Sequence, residues 1–144
     1  MLPTRPLSDP EVADLLRRHG VGPTPQRIAI ARVLFERCTH VSAEELYRRV
    51  NAGRPHVSKA TVYNTLGLLA EKGLIRAVIA DPERVFYDSN TSPHHHFYDE
   101  TTGELTDIDA SDVQVSRLPP LPEGVELQGV DVVIRVRRSD KASG

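Results

Sequence analysis

Apolar positions recur at helical spacing over roughly the first seventy residues and then change to alternation. Ser8-x-x-Glu11 is a capping box, and Val12, Leu15 and Leu16 form a short stripe that stops before Gly20. Thr24 followed by Pro25 reads as an N-cap and first helical position, and Ile28, Ala31, Val33, Leu34 and Phe35 make that helix largely buried. Ser42-x-x-Glu45 is a second capping box, leading into Leu46, Tyr47 and Val50. Ser58 caps a fourth helix carrying Ala60, Val62, Tyr63, Leu66, Leu68 and Leu69, which Gly73 closes. The runs Leu74 to Ile79 and Val85 to Tyr87 flank the turn Asp81-Pro82-Glu83 and predict a hairpin. Helices followed by a hairpin are the winged helix-turn-helix layout, with the helix before the hairpin as the recognition helix.

Beyond residue 90 the pattern is that of strands. His94 to Tyr98 and Leu105 to Ile108 flank the polar turn Asp99-Glu100-Thr101-Thr102-Gly103, a second hairpin. Ala110 to Leu118 predicts a short helix, and Leu118-Pro119-Pro120-Leu121-Pro122 a stiff linker. Val125 to Leu127 and Val130 to Val136 predict strands, and the polar tail from Arg138 is expected to fray. The expected class is α+β. An N-terminal winged helix-turn-helix domain spans residues 1–90, and a small C-terminal α/β domain for dimerisation and metal sensing spans residues 91–144.

Composition sharpens this picture in two places. The net charge is −2, but residues 1–90 hold 13 Lys and Arg against 10 Asp and Glu, and residues 91–144 hold 5 against 10. A modestly basic first half beside an acidic second half fits a DNA-contacting part joined to another part. The single cysteine, Cys38, excludes an internal disulfide and a CxxC zinc clip, and is expected to be a small buried side chain. With only 5% aromatic residues, a chain of 144 residues has a thin core that a dimer would reinforce. No apolar run reaches 18 residues and no signal-peptide pattern is present, so no membrane association and a cytoplasmic location are expected.

Two groups of residues carry chemistry. The first two turns of the fourth helix hold Ser58, Lys59, Thr61, Tyr63, Asn64 and Thr65, which can donate to phosphates or reach base edges. A solvated helix face has a similar composition, but the hairpin that follows favours DNA. Arg27 and Arg32 on the second helix, and Arg76 and Arg84 in the wing, are further phosphate candidates. The second group centres on His94-His95-His96. In a strand His94 and His96 point one way and His95 the other, and a paired imidazole face near Asp88 and Asp107 suits a divalent metal. His40 is the distant ligand candidate, whereas His19 and His56 read as surface residues. No Ser/His/Asp or Cys/His catalytic arrangement and no Gly-rich phosphate loop stands out, so the chain is not expected to be an enzyme.

Thr24-Pro25-Gln26-Arg27, His40 to Tyr47, Ser58-x-Ala60-Thr61-Val62-Tyr63-Asn64-x-Leu66 and His94-His95-His96 together resemble the ferric uptake regulator family. The likeness runs from about residue 10 to 137. His94 to Phe97, Leu121 to Glu126 and Val130 to Arg135 look closest to its iron response regulator subfamily. The resemblance implies a homodimer binding AT-rich inverted repeats of double-stranded DNA under control of Fe(II) or Mn(II), with Zn(II) able to bind in vitro. It implies a regulatory site of His40, Asp88, His94, His96 and Asp107, beside the DNA-binding set read from the helix and wing above, Arg27, Ser58, Lys59, Thr61, Tyr63, Asn64 and Arg76. It also implies iron and haem homeostasis as the role, with haem at His94, His95 and His96. Departures are equally plain. The two CxxC pairs of a four-cysteine structural zinc site are absent. Pro93, Gln114 and the residues near Gly129 and Val130 leave His95 alone from a further metal site. Cys38 is followed by Thr39 rather than the proline of a haem motif.

A metal taking ligands from both halves would fix the spacing of two recognition helices, and so the affinity for a palindrome. Haem at the same histidines would compete and release DNA. A peroxide-sensing repressor whose bound Fe(II) oxidises a ligand is the alternative within the class. Outside it stand a small metallohydrolase, disfavoured because the carboxylates look committed as ligands, and a metal-free winged-helix module that binds proteins.

Overall fold

The computed structural model describes residues 6–36, 40–53 and 56–139. Cys38 lies outside the described residues. The chain divides into two compact units, Met1–Thr91 and Ser92–Gly144. Among the described residues no helix is long and apolar enough to cross a membrane.

In the first unit local chemistry starts each helix. Ser8 caps α1 (Asp9–Arg18), its Oγ accepting from the Glu11 amide while the Ser8 amide donates to Glu11 Oε1, so both halves of the box form. Thr24 Oγ1 accepts the Arg27 amide at the start of α2 (Pro25–Glu36). The Oγ of Ser42 caps α3 (Ala43–Val50), but here the Glu45 carboxylate turns to Arg49 (2.7 Å). Ser58 caps α4 (Lys59–Glu71) through the Thr61 amide. α4 ends at Gly73, whose φ of 78° lets the Leu74 amide return to the Leu69 carbonyl.

The apolar faces of these helices meet in one core. Val12, Leu16, Ile30, Leu46, Val62, Leu66 and Leu69 are fully buried there. Burial of each such leucine or isoleucine stabilises the unit by about 1.5–3 kcal/mol, which fixes α4 by its inner face and leaves Lys59, Tyr63 and Asn64 outward. A three-stranded antiparallel sheet follows, ordered β1-β3-β2, from β1 (His40–Ser42), β2 (Arg76–Asp81) and β3 (Arg84–Asp88). The register sets His40 and Arg76 on either side of Asp88. β1 is an addition to the expected elements, pairing three residues along β3.

The second unit is a sheet of order β5-β4-β6, made of β4 (His94–Asp99), β5 (Leu105–Asp109) and β6 (Val133–Val136). β4 and β5 form the expected hairpin, closed by Gly103 at φ 77° and by Asp99, whose carboxylate accepts the Thr101 and Thr102 amides. β6 joins β4 in parallel.

Three expectations need correction here. The helix over Ala110 to Leu118 shrinks to one 3-10 turn, Ala110–Asp112. Pro119 and Pro120 bar its continuation, and the β-branched Val113 and Val115 disfavour it. Val125 to Leu127 is no strand, and only Val133–Val136 of the last run is one, because backbone pairs only where β4 offers an edge. Finally, Arg138 is anchored instead of frayed: its amide donates to Thr101 Oγ1 and its Nε to Asp99 Oδ2, both at 3.0 Å.

Candidate functional site

Two sets of metal-ligating side chains stand out, one in each unit. In the first, Asp88 ends β3 with its side chain 1% exposed. Its Oδ1 accepts the Asn90 amide at 2.9 Å, and its Oδ2 lies 3.4 Å from His40 Nε2. Their facing positions in the β1–β3 ladder put both side chains on one side of the sheet.

In the second unit, alternation along β4 buries His94 and His96 on one face. Asp107 faces His96 across the β4–β5 ladder. Its Oδ1 is 3.4 Å from the Nε2 atoms of both histidines, whose rings meet edge-on with centroids 4.5 Å apart. His94 Nδ1 is 2.6 Å from the Ser92 carbonyl, a contact in which Nδ1 donates and which turns Nε2 toward Asp107. Asp109 occupies the same face of β5 but caps the 3-10 turn, accepting from the amide and hydroxyl of Ser111. Those bonds hold its carboxyl below the usual range and commit it elsewhere.

This donor chemistry fits a divalent ion. A direct charge-assisted N–H to carboxylate bond closes to about 2.7–2.9 Å, whereas donors sharing an ion at bonds of about 2.1 Å stand roughly 3.0–3.4 Å apart. The separations His40–Asp88, His94–Asp107 and His96–Asp107 are each 3.4 Å. His95 is different. The Val132 amide donates to its Nδ1 at 3.1 Å, which puts the ring proton on Nε2, and its side chain lies across the sheet from the other two. The three consecutive histidines therefore do not converge on one point.

The nucleic-acid candidates occupy two places in the first unit. Ser58, Lys59, Tyr63 and Asn64 are exposed at the start of α4, with Thr61 half-buried beside them, whereas Thr65 is buried, because it falls on the same inner face as Val62, Leu66 and Leu69. Arg27 reaches Gly22 O with its guanidinium (2.8 Å), and with Thr24, Gln26, Thr61 and Asn64 lines a surface groove between α2 and α4. Arg76 lies elsewhere: it is half-buried at the base of the wing, opposite Asp88, while Arg84 is exposed beside the turn. Arg32 pairs with Asp9 at 3.1 Å.

Two features escaped the sequence reading. Lys59 pairs with Glu44 of α3 at 3.1 Å and lies 5.7 Å above the Tyr47 ring. Asn51, after α3, ties the turn toward α4: its Nδ2 donates to the carbonyls of Tyr47 and Val57, and its Oδ1 accepts the amides of His56 and Val57. Neither contact has a spacing signature.

Comparison with known proteins shows the family. The chain is 36% identical over 93 residues to the peroxide-responsive repressor of Staphylococcus aureus, a match covering 65% of this chain and 63% of the repressor, thus less than two thirds of that relative. The ferric uptake regulator of Pseudomonas aeruginosa, solved with manganese, superposes with a TM-score of 0.65 at 26% identity, covering 88% of this chain and 97% of that one. The Campylobacter jejuni peroxide stress regulator superposes at 0.62 and 26% identity, covering 91% and 98%. The sequence profile of the ferric uptake regulator family matches residues 18–134, and the chain belongs to that family.

Proposed function

We propose that the protein is a metal-responsive transcriptional regulator that binds double-stranded DNA as a homodimer in the cytoplasm. One divalent ion takes its ligands from His40 and Asp88 of the first unit and His94, His96 and Asp107 of the second. The observation that carries this reading is the pair of imidazoles sharing one Asp107 oxygen at 3.4 Å, with the His94 ring held in the ligating tautomer by Ser92. Three imidazoles and two carboxylates form a mixed set suited to Fe(II) or Mn(II), and Zn(II) binds such a set on raw affinity.

A bound ion would supply charge neutralisation for the carboxylates and a link between the two units. The remaining work belongs to the chain. Asp88 and Asp107 provide the negative charge, Ser92 and Asn90 orient their ligands, and the core behind α4 presents Ser58, Lys59, Thr61, Tyr63 and Asn64 outward. Arg27 adds a phosphate contact beside them, and the second unit supplies the dimer. A set ligand arrangement favours the dimer whose half-site spacing matches an AT-rich inverted repeat.

Within this function, iron and haem homeostasis and peroxide sensing differ in what releases DNA. The peroxide reading is favoured by the 36% identity to a peroxide-responsive repressor. The haem reading rests on the histidine run, in which His94 and His96 share one face of β4 and His95 faces the other way with its Nδ1 taken by the Val132 amide. Fluorescence anisotropy with an AT-rich inverted repeat separates these. Binding should require Mn(II), and a His94→Ala/His96→Ala variant that keeps its circular dichroism should lose both Mn(II) binding and tight DNA binding. Loss of binding on adding haem supports the haem role; loss on adding peroxide, only in the Fe(II) form, supports the peroxide role. Wild-type DNA binding indifferent to Mn(II) refutes metal control.

A further inference from the structure

Lys59 opens the recognition helix, where a cation should find DNA phosphate. It is instead held on α3, its Nζ 3.1 Å from Glu44 Oε1 and 5.7 Å above the Tyr47 ring, with both charged side chains about half exposed (55% and 54%). Glu44 therefore stands where DNA approaches, bordering with Arg48, Tyr63 and Arg84 a groove between α3, α4 and the wing. An acidic side chain there works against affinity. Helix capping does not demand this pairing, since Glu45 in the same turn also complements the N-terminus of α3, and Glu45 pairs with Arg49.

We infer that Glu44 is a specificity-determining residue that withholds Lys59 from DNA phosphates in sequence-independent complexes. The inference rests on the DNA-binding function proposed above. A phosphate contact carries no sequence information, so every cation free to reach one raises binding to arbitrary duplex. In a loosely seated complex the phosphate must compete with a carboxylate already 3.1 Å from Lys59, and the pair stays closed. Neutralising Glu44 gives Lys59 to any duplex.

The test measures binding of full-length protein, with Mn(II) present, to a random-sequence duplex across a salt series. E44Q should tighten binding about two- to fivefold, the range an exposed ion pair sets. It should also steepen the dependence of log K on log salt by about 0.9, one additional phosphate contact. E45Q, which removes the same charge from the same turn without touching Lys59, should have a clearly smaller effect, and E44Q in a K59M background should lose the gain. An unchanged slope in E44Q, an equal gain in E45Q, or a gain that persists in K59M overturns the inference. A wild-type protein that binds neither random duplex nor an AT-rich inverted repeat overturns the DNA-binding function itself.

Discussion

Replacing Asn51 with alanine should lower the stability of the first unit by about 2–4 kcal/mol, far more than a half-exposed polar side chain ordinarily costs. Asn51 makes four hydrogen bonds of 2.8–3.0 Å that close the turn between α3 and α4. Their loss is uneven. His56 is exposed, so its amide regains water, and the Tyr47 carbonyl keeps the Asn51 backbone amide at 3.3 Å. Val57 is 5% exposed, and both its amide and its carbonyl depend on Asn51. Two buried backbone groups stripped of partners cost about 1–3 kcal/mol each, and some relaxation brings the sum to the stated range. Urea unfolding followed by circular dichroism at 222 nm suits the measurement, because among the described residues the α-helices lie in the first unit. Protein concentration must be held fixed, since any dimer adds a mass-action term. A loss below about 1 kcal/mol would mean that water replaces the asparagine at Val57 and would refute the reasoning.

Other perturbations separate the remaining parts. Leu66→Ala, at a fully buried position on the inner face of α4, should cost about 2–5 kcal/mol in the same urea titration. Asp107→Ala should weaken Mn(II) binding at least about tenfold by calorimetry, whereas Asp109→Ala, which removes only a cap, should change it less than about twofold. Acid should destabilise the second unit through Asp99. Burial alone would raise that carboxyl, but the Thr102 and Thr101 amides and the Arg138 guanidinium outweigh it and hold it below its ordinary value. The stability it contributes is therefore complete above about pH 4, the unfolded value, and is lost as pH falls through the depressed folded one. Asp99→Asn should flatten the fall of the urea midpoint between about pH 5 and pH 3, and an unchanged slope would show that other carboxylates dominate.

What could be read from the chain was whatever is decided locally. The Ser8, Ser42 and Ser58 caps announce α1, α3 and α4, and the spacing of Val62, Leu66 and Leu69 marks the buried face of α4. Alternation placed His94 and His96 on one face because strand geometry leaves no other choice. Long-range pairing was not legible. Three residues of β1 become a strand only because β3 presents an edge, and β6 joins β4 across a gap of more than thirty residues. The stretch from Ala110 to Leu127 misled for the opposite reason. Its apolar periodicity is real, but Pro119, Pro120 and Pro122 remove the amides that helix or ladder needs, and Leu118, Leu121, Val125 and Leu127 stay exposed. At the site, the division of labour between Asp107 and Asp109 was hidden because it depends on which carboxylate the Ser111 hydroxyl captures.

The position of β4 as the middle strand of its sheet has a mechanical consequence. Neighbours on both sides fix its alignment: β5 sets Asp107 opposite His96, and on the other edge the Val132 carbonyl takes the His96 amide while the Val132 amide holds His95 Nδ1. A slip of β4 by one residue would turn His94 and His96 to the far side and bring His95 round in their place. Intermediate alignments do not exist in a pleated ladder, so the cluster of His94, His96 and Asp107 is either whole or lost. The strand β6, distant from these side chains in sequence, thereby acts as a latch on them.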